Sequence, residues 1–313
     1  MILVCGESLM DMLPTEADDG QPAHIAQPGG SPFNVALALG RQEVPISYFC
    51  PISTDPFGQR LSKTLSKSRV QLDWAPQTDL PTMLGFVSFD ESSNQPRYSF
   101  YTKETAAASL DEEALESLDL ETLDIVHFGS LSLAIEPLAS TLTRLLERLP
   151  SRVTVFFDPN IRADLIEDEG LYRRRLQTFF NRAQVMKASD EDMHWLSPGC
   201  PPLEALLSFT SSSALTNQLI ILTQGNLGST GIVGDLKVAL PAAQTSVVDT
   251  IGAGDTYQAG VLAWVYQNFL QRNRSFDAMT ESDLSALMLY ATTAAGINCS
   301  RRGCDPPWKR DFK

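Results

Sequence analysis

Residues 248–256 read Val-Asp-Thr-Ile-Gly-Ala-Gly-Asp-Thr, and an apolar stretch from Tyr257 to Leu270 follows directly. The pattern predicts a tight turn that opens an amphipathic helix. Gly252, Ala253 and Gly254 let the backbone bend sharply and present several N–H groups toward one point, where the positive end of the helix dipole adds to their attraction for an anion. On the first turn, the Asp255 carboxylate can accept a proton from a hydroxyl nucleophile while those N–H groups hold moving phosphoryl oxygens. Taken alone, Gly-x-Gly before a helix is equally well a structural turn, and Asp is common near helix starts.

Outward from this string, short apolar runs alternate with helical patterns: Ile2 to Cys5 then Phe33 to Gln42, Asp124 to Phe128 then Ile135 to Leu149, Val153 to Phe157 then Leu171 to Ala183. Leu219 to Thr223 and helices beginning near Gly254 and Asp283 complete the series. Such βα alternation predicts an α/β fold with a mostly parallel sheet covered on both faces. One region breaks it. Met83 to Phe89 and Arg97 to Tyr101 alternate like strands around the polar turn 90–95, so a hairpin is expected there, with a short strand near His24 to Gln27 as its partner. It is either an edge of the main sheet or a small sheet standing over a site.

The chain has 313 residues, enough for one large α/β domain with an insertion. Its formal net charge of −14 argues against nucleic-acid binding through a broad basic surface, and an anionic nucleotide must be met by a local site. Five cysteines, at positions 5, 50, 200, 299 and 304, form no Cys-x-x-Cys pair and are expected as reduced thiols. His24, His127 and His194 are dispersed, without metal-ligand spacing. No apolar run reaches about 18 residues and no basic stretch precedes Ile2, so neither a membrane span nor a signal peptide is expected, and a cytoplasmic location follows.

Further strings carry chemistry. Gly6-Glu7-Ser8-Leu9-Met10-Asp11 ends a strand and is expected to bring Asp11 to the carboxyl end of the sheet, where open α/β folds bind ligands. A carboxylate there can accept two hydrogen bonds from a diol. Gly29-Gly30-Ser31-Pro32-Phe33-Asn34 reads as a glycine turn and helix start with Ser31 as cap, which gives the Asn34 amide no task. Arg162, after Phe157-Asp158-Pro159-Asn160, is either a forked anion ligand or the partner of Asp164 or Glu167 in a surface salt bridge. In Lys187-Ala188-Ser189-Asp190-Glu191-Asp192, Ser189 suits the cap of an acidic first turn.

Asp249 to Asp255, taken with these strings, resembles the C-terminal signature of the ribokinase-like sugar kinases, the PfkB family, and the likeness runs from Gly6 to Gly303. The resemblance implies a single ribokinase-like, three-layer α/β domain over 1–313, with a mostly parallel central sheet and a small β-sheet lid formed by insertions at about 13–28 and 81–105. The implied activity is transfer of the γ-phosphate of ATP to a primary hydroxyl of a small sugar, with Asp255, Gly252, Ala253 and Gly254 at the reaction. Asp11, Gly29, Gly30, Asn34 and Arg162 are implied on the sugar. Thr223, Gly225 and Gly228, from Leu222-Thr223-Gln224-Gly225-Asn226-Leu227-Gly228, fall on ATP. Asn298, near the alanine-rich Ala291 to Gly303, falls by the adenine, although close helix packing explains the alanines equally well. Asp192, or Glu191 in its stead, is implied to serve Mg2+ indirectly, and Asp249 to lie beside a monovalent cation such as K+.

The string Gly-Gly-x-Pro-x-Asn-Val-Ala at 29–36 is most similar to the fructokinase branch, which implies fructose, with 2-keto-3-deoxygluconate or another sugar or nucleoside as the alternative. The lid strand Tyr98 to Lys103 lacks the arginine often found after its aromatic residues in fructokinases, so either Lys103 takes its part or the acceptor differs. An exposed lid edge offers a pairing surface for a homodimer. Rival readings are weaker. Tyr257 stands where a Gly-x-Gly-x-x-Gly dinucleotide motif needs its last glycine, and no Gly-Lys-Ser/Thr string occurs. A non-catalytic sugar or nucleotide sensor on the same fold remains, against which the carboxylate at Asp255 argues.

Overall fold

The computed structural model describes residues 1–89, 96–211 and 218–312. The chain opens with β1 (Ile2–Cys5), leaves the body as β2 (Leu9–Glu16) and β3 (Pro22–Gly29), and returns in α1 (Ser31–Arg41). β4 (Ile46–Phe49), β5 (Ile52–Ser53), α2 (Pro56–Lys67) and β6 (Gln77–Thr78) precede a second excursion, β7 (Met83–Phe89) and β8 (Pro96–Tyr101). Then come β9 (Ile125–Gly129), α3 (Leu138–Arg148), β10 (Thr154–Asp158), α4 (Glu169–Arg182), β11 (Val185–Ser189), α5 (Asp190–Leu196) and α6 (Pro202–Ser211). β12 (Leu219–Thr223), β13 (Ser229–Val233), β14 (Leu236–Leu240), α7 (Ala253–Asn268) and α8 (Glu281–Cys299) complete the chain.

Eight strands form the body sheet in the order β14-β13-β12-β11-β10-β9-β1-β4. From β12 to β4 neighbours are parallel, and β13 and β14 add an antiparallel edge. The parallel strands are covered on both faces, which is why β1, β9 and β10 are buried along their whole length. Helices α1, α7 and α8 pack together, as do α3, α4 and α6. At the crossing of α7 and α8, a methyl group added to Gly260 would stand 2.7 Å from the Ala291 Cα, so at Ala291 the small side chain serves helix packing.

The two excursions join in a separate sheet of four strands, β3-β2-β7-β8. β2 pairs antiparallel with β3 and parallel with β7, and β7 pairs antiparallel with β8. The hairpin strands expected around 83–101 are present, while the turn expected at 90–95 lies outside the described residues. The short strand expected near His24 extends over all of β3. Asp11 lies within β2 of the small sheet, opposite Gln27 and Gly85, and not at the carboxyl end of a body strand.

A second difference concerns α7. It is not amphipathic: Thr256 to Ala263, Val265 and Tyr266 are all buried, because α1 and α8 enclose a helix that already lies on the sheet. Even Thr256 and Gln258 are fully buried. All five cysteines are free. Among the described residues no helix is long and apolar enough to cross a membrane.

Candidate active site

The expected cradle forms at the start of α7, with Gly252 as N-cap at φ 71°, a left-handed conformation that a side chain would strain. The Cys304 side chain occupies the space a Cβ there would need. Three polar contacts hold the loop: Asp249 Oδ1 accepts from the Ile251 N–H (3.0 Å), Asp249 Oδ2 from the Gly303 N–H (2.8 Å), and Asn298 Nδ2 donates to the Ile251 carbonyl (2.8 Å). Asn298 Oδ1 accepts from the Asp305 N–H at 2.9 Å, so this buried amide, expected beside adenine, is engaged at both ends in tying the loop to the chain after α8. Asp249, expected beside a monovalent cation, clasps the same two segments.

The cradle is narrower than the string suggests. Ala253 turns its N–H back onto the Thr250 carbonyl at 3.1 Å, whereas the amides of Gly252, Gly254 and Asp255 find no acceptor among the described residues. Open amides on a helix first turn are the groups that receive an anion.

Asp255 is oriented by residues 224 and 221 positions away in sequence. Ser31 Oγ donates to its Oδ1 at 2.6 Å and Asn34 Nδ2 donates to its Oδ2 at 2.8 Å. Ser31 is therefore not the helix cap; Gly30 is the N-cap of α1, with no side-chain cap bond, and the serine hydroxyl is turned to the carboxylate. Asn34, expected on the sugar, has the same task, and its Oδ1 is left without a protein partner. Burial raises the Asp255 proton affinity, and the Ser31 and Asn34 bonds, Lys187 and Arg162 work against that rise.

Asp11 stands on the lid side of the gap. Its carboxylate occupies the space a side chain at Gly29 would need, so Gly29 serves by being small and not by touching a ligand. Burial pushes the Asp11 carboxyl up to about 6, with Arg162 pulling down and Asp255 pushing up. Arg162 forms no ion pair among the described residues; its guanidinium donates to the carbonyl of Ile161 (3.1 Å) and acts on Asp11, Asp255 and Glu7 through its charge. The surface salt bridge is not made. Glu167 instead meets Lys103 at 3.5 Å, and both are largely exposed, so Lys103 does not reach the site in place of the missing arginine.

Sequence reasoning assigned no role to the buried pair beneath the cradle. Lys187 Nζ bonds Asp158 Oδ2 at 2.7 Å, and the position of a Cβ on Gly254 would be 3.7 Å from that ammonium. Burial pushes Lys187 down, but Asp158, Asp192 and Asp255 raise it above its ordinary value, so it stays charged. A lysine inside a buried strand was the available signal, since a buried ammonium demands a carboxylate. Glu7 was also missed: it is fully buried, contacts Ser132 Oγ, and burial lifts its carboxyl to about 7.

Asp192 completes a capping box with Ser189, and its other oxygen accepts from the Ile161 N–H at 2.7 Å. It fixes the loop before Arg162, and the shorter acid fits this role without help from Glu191, which is exposed. No group of three or more acid, His or Cys side chains able to hold a metal occurs among the described residues.

On the donor side, Thr223 ends β12 and Gly225 opens the following turn at φ 52°, with nothing within 4 Å of where its Cβ would be. Gly228, by contrast, packs backbone against Leu240 and Pro241, a structural contact.

Comparison with known proteins gives this geometry its context. The family model described as pfkB family carbohydrate kinase matches residues 1–310. A fructokinase of Rhizobium leguminosarum bv. trifolii is 33% identical over 91% of this chain and 85% of its own. An uncharacterized sugar kinase from Pyrococcus horikoshii, solved in complex with ATP, superposes with a TM-score of 0.82 at 26% identity, covering 100% of this chain and 97% of that one. Fructokinase from Xylella fastidiosa with bound ATP has the same fold, with a TM-score of 0.86 at 24% identity over 97% and 93% of the two chains.

Proposed function

The chain belongs to the pfkB family of carbohydrate kinases, and from that premise we propose that it transfers the γ-phosphate of ATP to a primary hydroxyl of fructose. The observation that carries this reading is the double grip of Ser31 and Asn34 on Asp255, beside the open amides of its own helix. A carboxylate held through both oxygens keeps its remaining lone pairs in fixed directions for accepting a proton, next to amides that can receive an anion.

In the reaction, the sugar oxygen attacks the γ-phosphorus as the bridge to the β-phosphate breaks, and the hydroxyl proton passes to Asp255. Phosphoryl transfer proceeds through a loose transition state that needs positioning and charge stabilisation more than a strong base. The amides of Gly252, Gly254 and Asp255 receive the equatorial oxygens, the Lys187 ammonium adds positive charge beneath Gly254, and Arg162 does so from the acceptor side. Mg2+ supplies further neutralisation of the phosphates when bound with ATP. Asp11 accepts hydrogen bonds from the sugar diol, with Gly30 at the turn beside it. Thr223 and Gly225 border the nucleotide. The Rhizobium relative's name supports fructose, and the Pyrococcus complex supports ATP as donor. The outer face of the lid, where His24, Phe86 and the exposed Tyr101 meet edge to edge, supports pairing with a second copy.

A coupled assay of ATP consumption tests the reading, with fructose, ribose, 2-keto-3-deoxygluconate, tagatose phosphate and nucleosides compared by kcat/KM. Fructose is expected to lead. A clear lead for 2-keto-3-deoxygluconate refutes the choice of sugar, and sugar binding without turnover marks a sensor.

A further inference from the structure

Under the end of β8 and behind the segment that follows Arg162 lies a cavity of about 930 Å3 that the reaction described above does not use. Phe100, Tyr101, Ala108, Ile135 and Leu165 give it an apolar wall. Arg175, at the same wall, is not free for an anion, because it donates to the Leu133 carbonyl at 2.8 Å and is paired with Glu136. Around the cavity Glu104, Glu136, Asp164, Glu167 and Asp168 outnumber Lys103 and Arg175, so its field disfavours anions.

One residue joins this cavity to the acceptor site. A Cβ placed on Gly85 would stand 3.1 Å from both Asp11 Oδ1 and Phe100 Cε1, so the ring that walls the cavity also borders the carboxylate proposed for the sugar.

We propose that the cavity receives a second, neutral sugar ring carried by the acceptor, so that the protein phosphorylates glycosyl-ketoses as well as the free ketose. Phe100 offers a face for the C–H side of a sugar ring, and the rim carboxylates accept from its hydroxyls. The chemistry is unchanged: an O–P bond forms on the ketose, the β–γ bridge of ATP breaks, and the proton passes to Asp255. The inference rests on the sugar-kinase reading above.

Turanose and maltulose carry a glucosyl group on O3 or O4 of fructose and leave both fructose primary hydroxyls free. Both are expected to bind by calorimetry and to be phosphorylated with kcat/KM within about tenfold of fructose. Ala108→Phe, which fills the cavity, is expected to lower disaccharide kcat/KM by about 30-fold or more and fructose kcat/KM by less than about twofold. Thr102→Trp fills it from the exposed side and gives the same split if the first variant fails to fold. Turnover of fructose with no binding of either disaccharide overturns the inference alone, as does disaccharide turnover that neither filling variant reduces. No turnover of any sugar overturns the kinase reading, and the inference with it.

Discussion

The body and the lid solve the placing of charge in opposite ways. In the body, Lys187 and Asp158 are almost fully buried and must hold each other, so the charge beneath the cradle is fixed by neighbouring strands. In the lid, charged and aromatic groups are half in water: Tyr98 and Tyr101 are 42% and 63% exposed, and Lys103 meets Glu167 across solvent. On the proposed reading, the body carries what must not move during phosphoryl transfer, and the lid carries what sets the choice of acceptor. Exposed ion pairs contribute little, about 0–1 kcal/mol, whereas breaking a buried one costs about 3–5 kcal/mol.

That contrast can be broken most directly at its deepest point. Lys187→Met leaves Asp158 buried without its cation and is expected to destabilise the protein by about 3–5 kcal/mol in urea unfolding, whereas Lys103→Met on the lid side is expected to change stability by less than about 0.5 kcal/mol. Equal effects would show that the buried pair is not what anchors the cradle.

Glu7 lies at the seam, between β1 of the body and β2 of the lid. Its folded carboxyl titrates at about 7, above its ordinary 4.5, so its stabilisation is complete below about 4.5 and is lost as pH rises through about 7. Glu7→Gln removes that dependence, and the wild type should lose on the order of 3 kcal/mol relative to the variant between pH 4 and pH 8. Parallel stability curves for the two proteins would refute the assignment.

Asp255→Asn tests the reaction itself: kcat should fall at least ~10²-fold with KM for sugar nearly unchanged. Near-normal turnover in a folded variant would sink the role of Asp255 as base. The smallest effect is expected on the lid. Asp11→Asn should raise the sugar KM about tenfold. It should also remove the part of the wild-type KM increase that accompanies protonation as pH falls through about 6. A pH profile that survives the substitution would reassign that limb to Asp255.

The same division governs what the sequence discloses. β1, β9, β10 and β12 are legible because strands buried on both faces read as continuous apolar runs. β11 escapes notice because Lys187 interrupts its run, and the Asp158 that makes this lysine tolerable sits on another strand, 29 residues away. α7 reads as one-sided because nothing local reveals that α1 and α8 cover its polar face. Ser31 before Pro32 has the form of a helix cap, and only the fold brings it to Asp255. The short strings that line the cleft were visible, as was the acid at its centre; the hydrogen bonds that aim this acid join distant segments and carry no local signal.

The clasp on the cradle loop has a consequence for the life of the molecule. Asp249 and Asn298 hold the loop through Gly303 and Asp305, and Cys304 packs under Gly252. Residues 1–250 hold all eight strands of the body sheet, yet the loop at the start of α7 has no clasp until the segment around 303–305 has been synthesised and has docked. The fastening thus arrives late in synthesis: a polypeptide cut short before that segment would retain most of its core and lack the clasp on the loop that opens α7.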